Sequence, residues 1–309
     1  MGHDHEPFDR KLLHTRRDRQ AGRAIANEFL LARVADDFIE RLAGINRRFA
    51  VGVNLGAHHG LLGRRLRRAG VELVVDLEAA PGLAALCEGP VVRGDEELLP
   101  FAVGSLDLVV SGLSLQFVND LPGTLVQIRR ALKPDGLFLG ALLGGRTLFE
   151  LREALLLSEA ELEGGASPRV APAVEVGDLG RLLQRAEFAL PVVDADAVTV
   201  TYASPLALMH ELRAMGATNV LHARRRTAIR RATLARALEI YRERHGAGGD
   251  RVRATFEILT MTGWAPHESQ QKPLAPGSAR MRLADALGTR EFGLGSVRSP
   301  AGPRPKERS

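Results

Sequence analysis

The segment Val53-Asn54-Leu55-Gly56-Ala57-His58-His59-Gly60 sets glycines and histidines between a short apolar run and a helix-like stretch from Leu61 to Ala69. A glycine-rich turn in that setting lets a ligand approach the backbone, and the helix start behind it offers free N–H groups. Asp76 ends the next apolar run, twenty residues after Gly56. An acidic residue there is placed to accept hydrogen bonds from ribose hydroxyls. The chemistry these residues suggest is nucleoside recognition. Gly56 with Asp76 is a pattern shared by all nucleotide-binding doubly wound folds.

The elements that must position them follow from the apolar rhythm. Residues 8–48 carry a cationic start and then Phe29, Leu30, Val34, Phe38, Ile39 and Leu42 at helical spacing. From residue 49 short apolar runs alternate with helices. Strands are expected at Val51–Leu55, Leu73–Asp76, Val91–Val92, Leu106–Val110 and Leu137–Leu143. Strands separated by helices indicate a parallel sheet covered on both faces, an α/β Rossmann-like doubly wound fold. Residues 146–190 read as helical, broken at Gly164-Gly165 and Pro168–Pro172. Val192–Tyr202 alternates like a strand, 205–245 is helical, and Arg253–Thr262 is a late β-rich run that closes the sheet. The expected organisation is a helical arm (1–48), a core (49–204), a basic helical insertion before the last strand (205–250), a closing segment (251–287) and a disordered tail (288–309).

Later motifs narrow the chemistry. Asp95-Glu96 follows the third strand. Then come Leu98-Leu99-Pro100-Phe101, Ser105 to Ser111, and Leu132-Lys133-Pro134-Asp135-Gly136 before the fifth strand. In this order they resemble class I S-adenosylmethionine-dependent methyltransferases. That resemblance implies S-adenosylmethionine as cofactor, with Asn54, Gly56, His58, Gly60, Asp76, Asp95, Glu96 and Ser111 on its side. Ser111 to Leu115 would lie beside the reactive methyl.

The likeness extends further, through Phe8-Asp9-Arg10, Asp95 to Phe101, Leu113 to Pro122, Gly263 to Gln270 and Gly277-Ser278-Ala279. Over roughly residues 8–280 the chain resembles the methyltransferase-like assembly factors of respiratory complex I, whose mitochondrial member is an arginine hydroxylase acting on an iron–sulfur subunit. The resemblance implies a protein substrate and hydroxylation or methylation of an arginine. Candidate catalytic residues are Ser114, Gln116 and His267. Asn119, Asp120, Arg224, Arg225, Arg226, Trp264 and His267 are candidates for contact with the substrate or partner. The malonyl-carrier-protein methyltransferases of biotin synthesis are a more distant likeness, matching mainly the sheet motifs. A non-catalytic assembly chaperone is a third reading.

Two positions depart from the methyltransferase pattern. Asn54 replaces an aspartate and removes one acceptor oxygen and a charge. His58 replaces the middle glycine of Gly-x-Gly, where a positive φ would tolerate His less readily than Gly. Metal chemistry finds little support. His58 and His59 are adjacent, and the His-x-Asp or His-x-Glu signature of non-haem iron oxygenases is absent from the sequence. No metal is therefore expected.

The chain has 309 residues and a net charge of +5, with 42 basic residues of which only Lys11, Lys133, Lys272 and Lys306 are lysine. Within 222–253 ten arginines face three acids, a local +7 that exceeds the total. That cluster is expected to dock an anionic protein partner. Aromatics near it are few, which argues against nucleic acid. A single cysteine excludes an internal disulfide. No apolar run approaches the ~20 residues of a membrane span. The expectation is a cytoplasmic enzyme with at most peripheral membrane contact.

Overall fold

The structure is a computed structural model that describes residues 6–271 and 281–289. Residues 1–268 form one compact unit and 269–309 a second, of which the described part includes a short helix at Leu283–Leu287. Gly277, Ser278 and Ala279 lie outside the described residues, as do residues 290–309 of the expected tail.

The first unit opens with helices α1 (Arg10–Gln20) and α2 (Phe29–Ala43). Asp9 caps α1 by accepting from Leu12 N at 3.0 Å. The core then runs β1 (Val51–Leu55), α3 (Leu61–Arg68), β2 (Leu73–Leu77), α4 (Pro81–Ala84), β3 (Val91–Val92), β4 (Leu106–Gly112), α5 (Leu121–Ala131) and β5 (Leu132–Leu143). It continues with α6 (Phe149–Glu163), α7 (Val176–Arg185), β6 (Ala189–Tyr202), α8 (Pro205–Ala214), α9 (Arg231–His245) and β7 (Val252–Trp264). The seven strands are ordered β3-β2-β1-β4-β5-β7-β6.

Strands β1 to β5 pair in parallel, as the alternation of strands and helices requires. Every residue of β4 is buried, because it sits at the centre with a helical layer on each face. Its residues alternate between two cores. Leu108 and Val110 join Phe38, Leu66, Leu208 and Tyr241 on one face. Val109 joins Leu125, Ile128, Leu179 and Leu183 on the other. Alternation along the strand is what divides the apolar residues between the faces.

One expectation about the sheet is corrected. The late run does not close the edge. β7 lies between β5 and β6 and is antiparallel to both. It is mostly buried, whereas β6 alternates and stays exposed along much of its length. The apolar run Phe256 to Met261 is an interior strand, and the more polar β6 accepts the solvent edge. No helix of the described residues is long and apolar enough to cross a membrane.

Candidate active site

In a sheet of this kind ligands bind beyond the carboxyl ends of the parallel strands, where the strand order reverses. Here that place is the gap between β1 and β4. Three segments meet there: the turn after β1, the loop after β4, and the inward face of α1.

The β1 turn is built from left-handed backbone. Gly56 has φ +61°, His58 +53° and Gly60 +77°. A Cβ on Gly56 would stand 2.0 Å from Ser114 Oγ, so only glycine fits. His58 carries its positive φ with help from its ring, whose Nε2 lies 2.9 Å from Gly112 O. A carbonyl only accepts, so Nε2–H donates. Burial lowers its pKa to about 3, with the positive field of Arg17 adding to the effect. Across the cavity Leu113 also has a positive φ of +55°. Such strain in non-glycine residues is concentrated at functional loops.

The structure places Asp76, the expected ribose acceptor, inside the fold. Asp76 is fully buried and does not reach the mouth. Its Oδ1 accepts from Asn54 Nδ2 at 2.8 Å, and Arg67 lies 3.4 Å from Oδ2. Asn54 is 1% exposed and turned the same way, so both residues stiffen the β1–β2 pair. The acid that meets the β1 turn is Glu78, just past β2 and 1% exposed. Its Oε2 accepts from His58 N at 2.8 Å and its Oε1 from Ala80 N at 2.9 Å. Burial pushes its pKa up to about 7, against the opposing pull of Arg17 and the two N–H groups. Each oxygen keeps an acceptor lone pair for a diol. A period-two step beyond Asp76, immediately before the Ala79-Ala80-Pro81 start of α4, was the available sequence signal.

Asp95 and Glu96 do reach the site, but Arg10 already binds them. Arg10 donates to Asp95 Oδ1 at 2.6 Å, to Glu96, and to Phe117 O at 3.0 Å. Glu96 also accepts from Ser114 Oγ. Burial alone would raise the Glu96 pKa; Arg10 and Arg17 outweigh it and hold it down to about 2. His14 completes a cluster with Asp95 and Glu96 whose ligand atoms lie within 4.8 Å of one another. Arg10 neutralises both carboxylates, so a cation there would have to displace a buried guanidinium. Arg10 and Arg17 were missed as site residues because cationic helix positions read as solvated. Both are in fact buried, on the same face as Leu13.

Other expected residues serve the fold. Ser111 Oγ donates to Leu55 O at 3.0 Å inside the sheet. Asn119 clamps Phe8, accepting from its N–H at 2.8 Å and donating to its carbonyl at 3.1 Å. Asp120 caps α5 through Gly123 N at 2.8 Å. Trp264 pairs with Leu137, midway along β5, while Ile258 pairs with Leu143 at its carboxyl end. The antiparallel direction of β7 therefore carries Trp264 and His267 away from the mouth, by roughly 20 Å at ~3.3 Å per residue. They do not close over this site. Arg224 is ion-paired with Asp9 at 3.3 Å, and Arg225 with the buried Glu163. Arg226 remains exposed.

Two cavities open here. The first, about 100 Å³, is lined by Arg17, His58, Leu83, Leu113, Gln116 and Phe117. The second, about 290 Å³, shares Gln116 and Phe117 and continues to Leu151, Met209, Leu212 and Phe256. The two cavities adjoin at Gln116 and Phe117, and apolar side chains dominate both linings.

The comparisons agree with this architecture. The methyltransferase domain family matches residues 53–140. The YcgJ protein of Bacillus subtilis superposes with a TM-score of 0.54 over 76% of this chain and 99% of its own, at 12% identity, which speaks to fold alone. The mitochondrial arginine-hydroxylase NDUFAF5 of Danio rerio is 38% identical over 90% of this chain and 88% of its own. The human NDUFAF5 is 38% identical over 90% and 82%. A malonyl-[acyl-carrier protein] O-methyltransferase of Halorhodospira halophila is 32% identical over 90% and 95%. The cofactor this domain implies is S-adenosylmethionine, and the residues fit it: a glycine turn with no room for a Cβ, a buried acid with spare lone pairs for the ribose, and apolar walls beside them. On near-full-length identity, the chain belongs to the family of the arginine-hydroxylase NDUFAF5, carried on the class I methyltransferase fold.

Proposed function

We propose that this chain is an S-adenosylmethionine-dependent enzyme that modifies a protein, at an arginine of an iron–sulfur subunit of respiratory complex I, during assembly of that complex. The relation to the arginine-hydroxylases supports the reading. The observation in the site that carries it is Gln116. Its Nε2 donates to Leu113 O at 2.9 Å, while its Oε1 is buried with no hydrogen-bond partner among the described residues. A buried acceptor left open is costly unless a ligand donor completes it. Gln116 stands where the two cavities meet. The apolar walls suit the methylene stem of an arginine, and Gln116 Oε1 accepts from its guanidinium.

When bound, S-adenosylmethionine supplies an electrophilic methyl group. Glu78 orients the ribose, the Gly56–Gly60 turn sets the approach of the methionine portion, and neutral His58 braces that turn against Gly112. Leu113 and Phe117 exclude water between the reactants. Catalysis here rests on positioning two bound groups, which supplies a large share of the barrier reduction in such reactions. The partner-reading surface is placed on α8 and the loop toward α9. The cytoplasmic location read from the sequence is kept within this proposal, beside relatives whose names place them in mitochondria.

One observation favours a second reading. The 290 Å³ pocket has Arg213 in its lining, beside Arg169, which is already paired with Glu159. A cationic group on an apolar pocket suits an acyl chain ending in a carboxylate, the substrate class named for the carrier-protein relatives. Mass spectrometry separates the cases. A gain of one methyl on an arginine of the iron–sulfur subunit, or of one oxygen where molecular oxygen and a reductant are supplied, lost on deletion of the gene and in Gln116→Leu, supports the first. A methyl ester on a malonyl carrier supports the second. Neither product, with complex assembly intact, leaves the chaperone reading.

A further inference from the structure

Arg17 is the charged side chain in this site with no assigned role. It is 5% exposed, on the inward face of α1. Its guanidinium carbon sits 5.4 Å from the centroid of Phe117. Its stem is held by Gly216, where a Cβ would come within 3.0 Å of Arg17 Cγ. Gly216 has φ +71°, which keeps a larger residue out of that slot. Arg17 is therefore locked in place, with its head lining the cavity beside His58 and Gln116.

Its partners are what it lacks. Arg10, two turns earlier on the same face, has its guanidinium filled by Asp95, Glu96 and Phe117 O. The Arg17 guanidinium makes no hydrogen bond and no ion pair within contact distance among the described residues. Among the described residues its guanidinium lies over the face of Phe117, and its charge acts on Glu78 and Glu96 without a direct hydrogen bond. Five N–H donors in a planar fork match a carboxylate in bidentate fashion. A buried guanidinium left unfilled, rigid and facing a cavity is organised for an anion that arrives with a ligand.

S-adenosylmethionine has one anionic group, the carboxylate of its methionine portion. We propose that Arg17 is the anchor for that carboxylate, so that α1, an element outside the strand-and-turn motif, selects an amino-acid-bearing nucleoside over a bare one. This rests on the cofactor assignment above. The division of labour is then complete: Glu78 takes the ribose, the β1 turn takes the backbone of the methionine portion, and Arg17 fixes its far end. The same arrangement makes the N-terminal helix part of the cofactor site and couples its docking to cofactor binding.

Calorimetric titration of the full chain tests this with four ligands: S-adenosylmethionine, S-adenosylhomocysteine, decarboxylated S-adenosylmethionine and 5′-methylthioadenosine. Wild type should bind the two carboxylate ligands at least tenfold more tightly than the other two. Arg17→Met should weaken the carboxylate ligands at least tenfold and leave methylthioadenosine within twofold; Arg17→Lys should recover part of the loss. Equal weakening of all four by Arg17→Met, or no weakening, overturns the inference. If Arg17→Met does not fold, the wild-type comparison decides alone: equal affinity for S-adenosylmethionine and its decarboxylated form overturns it. Failure of wild type to bind any of the four overturns the cofactor assignment and this inference with it, whereas binding without carboxylate discrimination overturns the inference only.

Discussion

Glu78 Oε2 accepts the backbone N–H of His58 at 2.8 Å, joining the end of β2 to the left-handed turn after β1. One acid thus holds the turn in shape and is the ribose acceptor of the proposed cofactor site. Its carboxyl is pushed up to about 7 by burial. A ribose diol donates more strongly to the ionised form, so cofactor binding should favour deprotonation. Affinity for S-adenosylmethionine should tighten as pH rises from 5.5 toward 7, by up to about tenfold per unit, and flatten above. Calorimetry in buffers of different ionisation enthalpy should show proton release below pH 7. Glu78→Gln should bind more weakly and lose this pH dependence. In the unliganded chain the sign is opposite: the raised pKa stabilises the fold fully below about 4.5, and that contribution is lost as pH rises through about 7.

Asn54→Asp should destabilise the fold, although it restores the residue usual in this fold. Asn54 Nδ2 donates to Asp76 Oδ1 at 2.8 Å, and both side chains are buried. An aspartate there would set two carboxylates against each other. Unfolding in urea at pH 7.5 should show a loss of about 2–4 kcal/mol. The loss should shrink at pH 5, where the pair takes up a shared proton.

Arg10→Met should cost about 3–5 kcal/mol, because it leaves Glu96 buried without its counter-charge. The Glu96 pKa is held near 2 against an ordinary 4.5, so its contribution is complete above 4.5 and is lost as pH falls toward 2. Thermal melts from pH 3 to 7 should show the wild-type advantage over Arg10→Met shrinking as pH falls through that window.

Charge reversal should separate paired from free arginines. Arg225 neutralises Glu163, which is 4% exposed, so Arg225→Glu should lower stability by about 2 kcal/mol or more. Arg236 and Arg244 are likewise engaged, with Glu161 and Glu153. Arg226→Glu should melt like wild type. A loss of partner capture in Arg226→Glu alone would locate a docking contact; the same loss in Arg225→Glu would report unfolding instead. Four of the ten arginines are paired, with Asp9 and with Glu163, Glu161 and Glu153 of α6, so the local +7 read from the sequence overstates the free positive charge.

The sequence by itself determined the sheet, its helices and the β1 turn. These depend on local periodicity and on glycines whose backbone demands are intrinsic, so Val51–Leu55, Leu106–Val110 and Gly56 are legible one segment at a time. Tertiary structure decided which charged residues face inward. Arg10 and Arg17 look like solvated helix positions until α1 is laid against Glu96 and Phe117. Asp76 is the acid the sequence suggests, until the end of β2 turns it onto Asn54 and sets Glu78 against the β1 turn. The direction of β7 removed Trp264 and His267 from the site, and no local pattern encodes strand direction. Burial and charge pairing depend on residues far apart in the chain, such as Arg10 with Glu96 and Arg225 with Glu163, and only the packed fold brings them within hydrogen-bonding distance.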